Sequence, residues 1–526
     1  MNKNRLTLNI LAFGLLMLGT SPLTSCISDD LNDPRGKISK EDLEGDNYGL
    51  GAFFLPMEDL VVPAQENHYQ MAENLIGDIY GRYMMFTNDG WNSAKNPPLC
   101  NVPSDWYSAP FSYMAEFFSS YNEVKKQTEG NGTNYAWAQI LKVSFMQRLT
   151  DTYGPIPYKS INSSSLTVAY DSQEDAYKAM FDDLNAAIEV LTSYVQANPG
   201  AAPMAKYDNV YSGNFSQWIK YANSLKLRMA IRISKALPDY AKQQAEEAVK
   251  HPMGVITSNS DNASYYYEKG NPINVMWDSY GDARMCADIY CYMNGYKDKR
   301  LEKYMQKHTG EWQNVEYAAI PSGVNVDLQT NTKKYSAPNF AKTDRLMWLN
   351  AAEVAFCRAE GALLNWNVGD GGTAANAETF YNQGIQLSFE QWNASGAADY
   401  MADETSVPAN YVDPAGKHKA MSAPTKMTIK WNDSANENEN EKLERIMIQK
   451  WIALYPLGQE AWSEIRRTGY PKVFNLQESA RDGIRTVPNR LPFSYNEYNN
   501  NPTNMPGALQ LLGGEDNYAT KLWWQK

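Results

Sequence analysis

The stretch YAWAQILKVSFMQRLTDTYGPIPY, residues 135–158, decides the fold class. Trp137, Ile140, Leu141, Phe145 and Leu149 recur at the three- and four-residue intervals that set apolar side chains on one helical face. Asp151, Thr152 and Tyr153 then run into Gly154 and Pro155. Glycine favours a helix cap and proline forbids another turn. The spacing predicts a helix over 135–150, stopped by a rigid corner.

The same rhythm extends in both directions. Helices are predicted over 67–85, 111–126, 174–195, 215–234, 346–364, 380–391 and 442–467. The helix over 215–234 carries a stripe of Phe215, Trp218, Ile219, Ala222, Leu225, Met229 and Ile233, with Lys220, Lys226, Arg228 and Arg232 on its other face. In 346–364, Ala352, Ala355, Ala359 and Ala362 make a narrow edge where a second helix can approach. Residues 310–342 read as loops with a few short strands. Residues 403–441 form a polar excursion ending in NDSANENENE, and the chain from 481 onward is aromatic, Asn-rich coil. Strands do not alternate with helices, so a doubly wound α/β fold is not expected. Pairs of amphipathic helices joined by short turns suggest a mostly α, tetratricopeptide-like helix-pair scaffold with long loops. No strict repeat of about 34 residues enforces it.

At the amino terminus, Lys3 and Arg5 precede an apolar run over residues 6–18. That run is too short for a bilayer core, which needs about 20 apolar residues. LTSC, residues 23–26, resembles a bacterial lipobox, in which the thiol of Cys26 is acylated and becomes the first residue. Residues 1–25 are then a lipoprotein signal peptide and 26–40 a lipidated tether. Several acyl chains, at about 0.8 kcal/mol per buried methylene, hold such a protein on a membrane through lipid alone. Ser28, Asp29 and Asp30 resemble an acidic export tag for the outer face of the outer membrane.

The precursor has 48 cations and 60 anions. Loss of Lys3 and Arg5 leaves 46 against 60, a net charge of −14. Such an acidic body does not suit nucleic acid, which demands clustered Lys and Arg. Beyond Cys26 stand Cys100, Cys286, Cys291 and Cys357, with no CxxC spacing; neither a disulfide framework nor a zinc site is read. Cys357, inside a helical pattern, reads as a buried thiol. The four histidines (His68, His251, His308 and His418) form no HExxH motif, and no nucleotide-binding or nucleophile-elbow motif occurs. No cofactor is implied. Asp278 and Asp282, four apart, would share a helix face and could serve a glycosidase, which needs only two carboxylates. The plainer reading is a capping or solvated pair.

The unusual feature is aromatic supply: 14 Trp, 16 Phe and 35 Tyr. Trp137, Trp218, Trp348 and Trp451 fall on helical stripes and are assigned to packing. Others lie in polar, Gly- and Asn-rich stretches: RYMMFTNDGWNSAKNPPLCNVPSDWY (82–107), NPINVMWDSYGDARM (271–285) and GEWQNVEY (310–317). Trp91, Trp106, Tyr107, Trp277, Tyr280 and Trp312 there stand beside Asn88, Asp89, Asn92 and Asp278. A flat apolar ring flanked by amides and carboxylates suits a sugar, whose C–H face stacks while its hydroxyls bond. The same surface would suit an aromatic-rich peptide, or the rings could simply pin long loops to the body.

Residues 139–158 resemble the helix and Tyr-Gly-x-x-Pro turn of SusD/RagB-type nutrient-binding outer-membrane lipoproteins. WIKYANSLKLRMAIRIS (218–234), RLMWLNAAEVAFCRAEGAL (345–363) and QKWIALYPLGQEAWSEIRRTGYP (449–471) look like signatures of its SusD-like_2 branch. So do VPNRLPFSYNEYNNNP (487–502) and Leu522-Trp523-Trp524. The resemblance implies a single SusD-like domain over 41–526, non-catalytic and mostly α. It also implies a SusC-type TonB-dependent barrel as partner, on which the protein sits as a lid, with glycan or peptide as cargo. Ligand residues in this family come from loops, so no site transfers residue by residue. The candidates Asn88, Asp89, Trp91, Trp106, Tyr107, Trp277, Asp278, Tyr280 and Trp312 rest on the chain's own pattern. Arg466, Arg467 and Arg490 are expected to knit the C-terminal coil to the helices. Rival readings are a peptide receptor on the same scaffold, an all-helical glycan-cleaving enzyme, and an envelope protein without a small ligand.

Overall fold

The computed structural model describes residues 47–161, 167–433 and 438–525. Cys26, the signal peptide and the tether lie outside them. Contacts divide the chain into Met1–Gly49 and Leu50–Lys526. Only residues 47–49 of the first unit are described, and the elements below belong to the second.

The long helices are α1 (Phe54–Val61), α2 (Ser104–Gln127), α3 (Gly132–Tyr153), α4 (Gln173–Ala197), α5 (Phe215–Arg232) and α6 (Pro238–Lys250). They continue with α7 (Ala287–Gly295), α8 (Ala351–Leu363), α9 (Ala377–Gln391), α10 (Glu439–Leu454), α11 (Gly458–Thr468) and α12 (Met505–Leu512). Helix α3 packs on α4, α5 on α6, α8 on α9 and α10 on α11. These pairs stack in turn through α4 on α5, α5 on α8 and α8 on α10. This is the predicted helix-pair scaffold. Trp137, Trp218, Trp348 and Trp451 are buried in it, as are Cys100, Cys286, Cys291 and Cys357. Trp137 stacks on Phe54 with centroids 3.9 Å apart and lies 5.7 Å from Trp218.

Several predicted boundaries move, each for a local reason. The helix predicted over 67–85 ends at Tyr80 after a π-helical stretch, Gln70–Gly77, and Met84–Phe86 becomes strand β1. Helix α8 begins only at Ala351. Leu346–Leu349 is strand β4, and Asn350 ends it by accepting a bond from Glu353 N at 2.8 Å while donating to Ala453 O at 3.0 Å. The span 442–467 is two helices, because Pro456 cannot continue α10. Helix α2 starts seven residues early and so takes Trp106 and Tyr107 into its first turn. Helix α6 went unread, although Pro238 opens it and Ala241, Ala245 and Ala248 line its buried side.

The basic side of α5 is not solvated. Arg228 and Arg232 are buried inside the stack. Arg228 grips Glu353 of α8, with Nε to Oε1 at 2.6 Å, and Arg232 meets Asp151 of α3, Glu460 and Glu464 of α11. Arg467 forks onto Glu360 and Glu464, and Lys450 bonds Glu464 at 3.0 Å. Burial opposes ionisation of Glu464, but Arg467, Lys450 and Arg232 outweigh it and hold its carboxyl well below the usual range. A ribbon of alternating charge thus runs through the stack. Arg466 of α11 donates to Asn489 O of the C-terminal coil at 2.8 Å, and Arg490 of the coil donates to Tyr153 O of α3 at 3.0 Å. Arg467 serves the ribbon instead.

Two small antiparallel sheets complete the described fold. Strand β1 pairs with β3 (Ala283–Met285), in the register Met84 to Met285, Met85 to Arg284 and Phe86 to Ala283. Strand β2 (Ala263–Tyr265) pairs with β4. Residues 310–342 hold isolated bridges and one four-residue helix, Gln329–Thr332, rather than strands.

Candidate functional site

The β1–β3 pairing joins the roots of the first two aromatic stretches. It extends past the ladder: Thr87 N donates to Asp282 O at 3.1 Å, and Thr87 Oγ1 to Gly281 O at 2.6 Å. Residues 326–329, beyond the third stretch in sequence, are tied to both. Asn92 exchanges two bonds with Val326, at 2.7 and 2.8 Å. Gln329 N donates to Asp89 Oδ1 at 3.0 Å, and Gln329 Nε2 to Asp282 Oδ1 at 3.1 Å. Gln70, in the first π-helical stretch, donates to the other oxygen of Asp282 at 3.2 Å. Burial pushes the Asp282 carboxyl upward against the pull of Lys333 and the two amides. Gly281 has a φ of +66°, a conformation that favours glycine, and any Cβ there would also have to displace the end of the Lys333 side chain.

The sequence-predicted residues divide among three places on this surface. Asn88 caps the short turn Asp89–Trp91 by accepting from Gly90 N at 3.1 Å. Trp91 is partly exposed and meets Trp106 edge-on, centroids 5.3 Å apart at 82°, with Phe86 behind it at 6.0 Å. Lys95 Nζ lies 5.3 Å from the Trp106 ring. Tyr107 follows on the next face of α2, half-buried, its carbonyl accepting from Tyr153 Oη at 2.6 Å.

Trp277 and Asp278 occupy a second π-helical stretch, Val275–Ser279. The indole of Trp277 donates to Phe340 O at 3.1 Å, which pins it, while Asp278 and Tyr280 face solvent. Tyr280 Oη reaches Asn67 Oδ1 at 3.4 Å. Asp278 and Asp282 do not share a helical face: the helix stops at Ser279, Asp278 is exposed, and Asp282 is engaged by Gln70 and Gln329. The paired-carboxylate arrangement a glycosidase would use is therefore not formed by these two residues.

Trp312 lines a cleft of about 330 Å³ with Tyr335, Asn331, Asp327, Lys417 and His418. Its ring sits 4.8 Å from Tyr335 and 5.0 Å from His308. The far wall is the loop closed by the Tyr411–Met421 bridge. Asp413 organises that loop, accepting from Tyr335 Oη at 2.6 Å, Lys417 N at 2.7 Å and His418 N at 2.9 Å. The Leu328 amide and Asn331 hold Asp327 below the usual carboxylate range, and burial lowers His418. Sequence reasoning missed Gln70, Gln329, Tyr335 and His418. Gln70 and Gln329 carry no local signal; Tyr335 sits in the same polar, aromatic-bearing type of stretch that singled out Trp312.

Half-exposed rings with amides and carboxylates at their edges can stack on C–H faces and exchange hydrogen bonds with hydroxyls. Among the described residues no group of His, Cys, Asp or Glu is arranged to hold a metal ion, and no helix is long and apolar enough to cross a membrane.

The family model described as Susd and RagB outer membrane lipoprotein matches residues 30–525. Among solved structures, a SusD homolog from Bacteroides uniformis is 39% identical, with a TM-score of 0.85 over 91% of this chain and 100% of the other. One from Bacteroides thetaiotaomicron is 37% identical, with a TM-score of 0.84 over 91% and 99%. A chitin-binding SusD homolog from Flavobacterium johnsoniae is 34% identical, with a TM-score of 0.85 over 91% and 98%. None of the curated proteins matches the chain.

Proposed function

The chain belongs to the SusD/RagB family of outer-membrane lipoproteins, non-catalytic nutrient-binding proteins, and on that premise we propose that it captures an oligosaccharide at the cell surface. It then passes the sugar to a SusC-type TonB-dependent barrel, on which it sits as a lid. Within the family, the signatures at 345–363 and 449–471 favour the SusD-like_2 branch. The observation that carries the ligand class is the joining of the first two aromatic stretches through β1–β3 and through Gln329, which bonds both Asp89 and Asp282, with Asp327 and Asn331 beside it lining the Trp312 cleft. Rings of Trp91, Tyr280 and Trp312 stand among amides and carboxylates, and the charges lining the Trp312 cleft balance, Glu311 and Asp327 against Lys334 and Lys417, with Lys417 3.8 Å from Asp327. Neutral sugars suit such a lining better than ionic ligands. The homolog from Flavobacterium johnsoniae, described as chitin-binding, supports the same class.

Sugar contacts of this kind are individually modest, so affinities in the micromolar to millimolar range are expected, about 4–8 kcal/mol in all. Tethering to a transporter keeps the local concentration high enough for such affinities to serve. The test is an array of neutral oligosaccharides probed with the purified domain and with its Trp91→Ala and Trp312→Ala variants. Binding lost in either variant, with unfolding midpoints unchanged, supports the reading. Binding of a protease digest and of no glycan would replace it with peptide capture. Co-purification with a large outer-membrane barrel tests the partner.

A further inference from the structure

Helix α2 begins with Trp106 and Tyr107 side by side, and the two rings leave it in different directions. Trp106 turns to Trp91. Tyr107 turns to the C-terminal coil, where Tyr495 N donates to Ser108 Oγ at 2.9 Å and seats the short helix Tyr495–Asn500 against the start of α2. Tyr495 and Tyr498, three apart on that helix, are 53% and 39% exposed, which is unusual for large rings held on anchored backbone. Tyr498 is also fixed at its tip: its hydroxyl donates to Asp516 Oδ2 at 2.7 Å, and Asp516 is held in turn by Arg490 and by Phe493 N at 2.9 Å. Arg481 lies over the Tyr518 ring at 6.0 Å and leaves more than half of its side chain in solvent.

We propose that Tyr107, Tyr495 and Tyr498 form a second sugar platform, which takes the distal units of the same oligosaccharide whose other end rests on Trp91 and Trp106. This rests on the glycan-capture reading above and sharpens it to a chain long enough to cross the end of α2. The physical case has three parts. Solvent-exposed rings cost free energy unless something covers them, and here they are exposed together rather than singly. Their geometry is set in advance by Ser108, Asp516 and Arg490, so binding does not have to order them. The polar groups beside them are hydrogen-bonding donors and acceptors of the kind that read hydroxyls.

The experiment uses the neutral oligosaccharide array with each glycan present as a disaccharide and as a long oligomer. It compares the wild type, Trp91→Ala, the double variant Tyr495→Ala/Tyr498→Ala and the double variant Tyr495→Phe/Tyr498→Phe. The wild type is expected to favour the long oligomer. The alanine pair is expected to lose that preference, by about tenfold, while keeping its affinity for the disaccharide. The phenylalanine pair keeps the ring faces but loses the Tyr498–Asp516 bond, and should retain more of the preference than the alanine pair and less than the wild type. Thermal midpoints equal to the wild type show that loss of the Tyr498–Asp516 bond leaves the fold intact. A length preference unchanged in the alanine pair overturns the second platform and leaves capture at Trp91 standing. An array on which no glycan binds overturns both readings.

Discussion

Arg232 is enclosed by Asp151, Glu460 and Glu464, contributed by two different helices. Removing it leaves three carboxylates facing one another in a low-dielectric interior. Arg232→Ala is expected to cost about 3–5 kcal/mol, read as a lower urea midpoint, and to shift the acid limb of the stability profile. Asp78 behaves differently. It is buried, accepts a bond from Tyr69 at 3.0 Å, and burial raises its carboxyl to about 7. Between its ordinary range and pH 7 the folded chain keeps a proton that the unfolded chain has lost. Its contribution is therefore complete in acid and is lost as the pH climbs toward 7. Asp78→Asn should remove that decline, on the order of 3 kcal/mol between pH 4 and 8, measured as the difference between wild-type and variant melts. Neither role is legible in the sequence. Arg228 and Arg232 read there only as the basic face of a helix, because one sequence cannot show that acids from α3, α8 and α11 arrive opposite them. Aromatic packing was legible: Trp137, Trp218, Trp348 and Trp451 stood on stripes, and all four are core.

At the level of elements, spacing found the long helices and local chemistry moved their ends. The break at Asn350 follows from a side chain that caps α8 and grips α10 at once, a contact that spacing alone does not reveal. The two π-helical stretches, Gln70–Gly77 and Val275–Ser279, were also invisible, since their residues have ordinary helical composition. Both border the candidate surface, where π-helical turns recur in proteins generally. The first lies against the start of α11 so closely that a Cβ on Gly458 would meet Asp78 N at 2.4 Å. Backbone cannot give way as a side chain can. Gly458→Ala should therefore destabilise by about 1–3 kcal/mol despite the better helix propensity of alanine, a sign that equilibrium denaturation checks directly. Gly132 has nothing within 4 Å of such a Cβ, but its φ of +79° makes it a poor control; Gly507, open and at negative φ, is the proper one.

For the whole molecule, the acidic balance, the helix-pair scaffold and the family were legible from composition, periodicity and motif order, whereas the assembly of the recognition surface was not. Its parts lie about two hundred residues apart, and hydrogen bonds such as Asn92 to Val326 carry no trace in either local sequence. Two expectations belong to this scale. Cys26→Ala should release the protein from the outer membrane into soluble fractions, because a net acidic chain gains little from anionic headgroups once the lipid is gone; fractionation and immunoblotting decide it. A net charge of −12, or −14 once the proposed signal peptide is removed, should also disfavour acidic glycans at low ionic strength, with the penalty relieved as salt is raised. The β1–β3 ladder holds the first two excursions together at their bases, and Gln329 bonds one residue of each, Asp89 and Asp282. Tip segments from a relative with another diet could accordingly be transplanted between those bases, and the chimera would inherit a new appetite without having to learn a new way to fold.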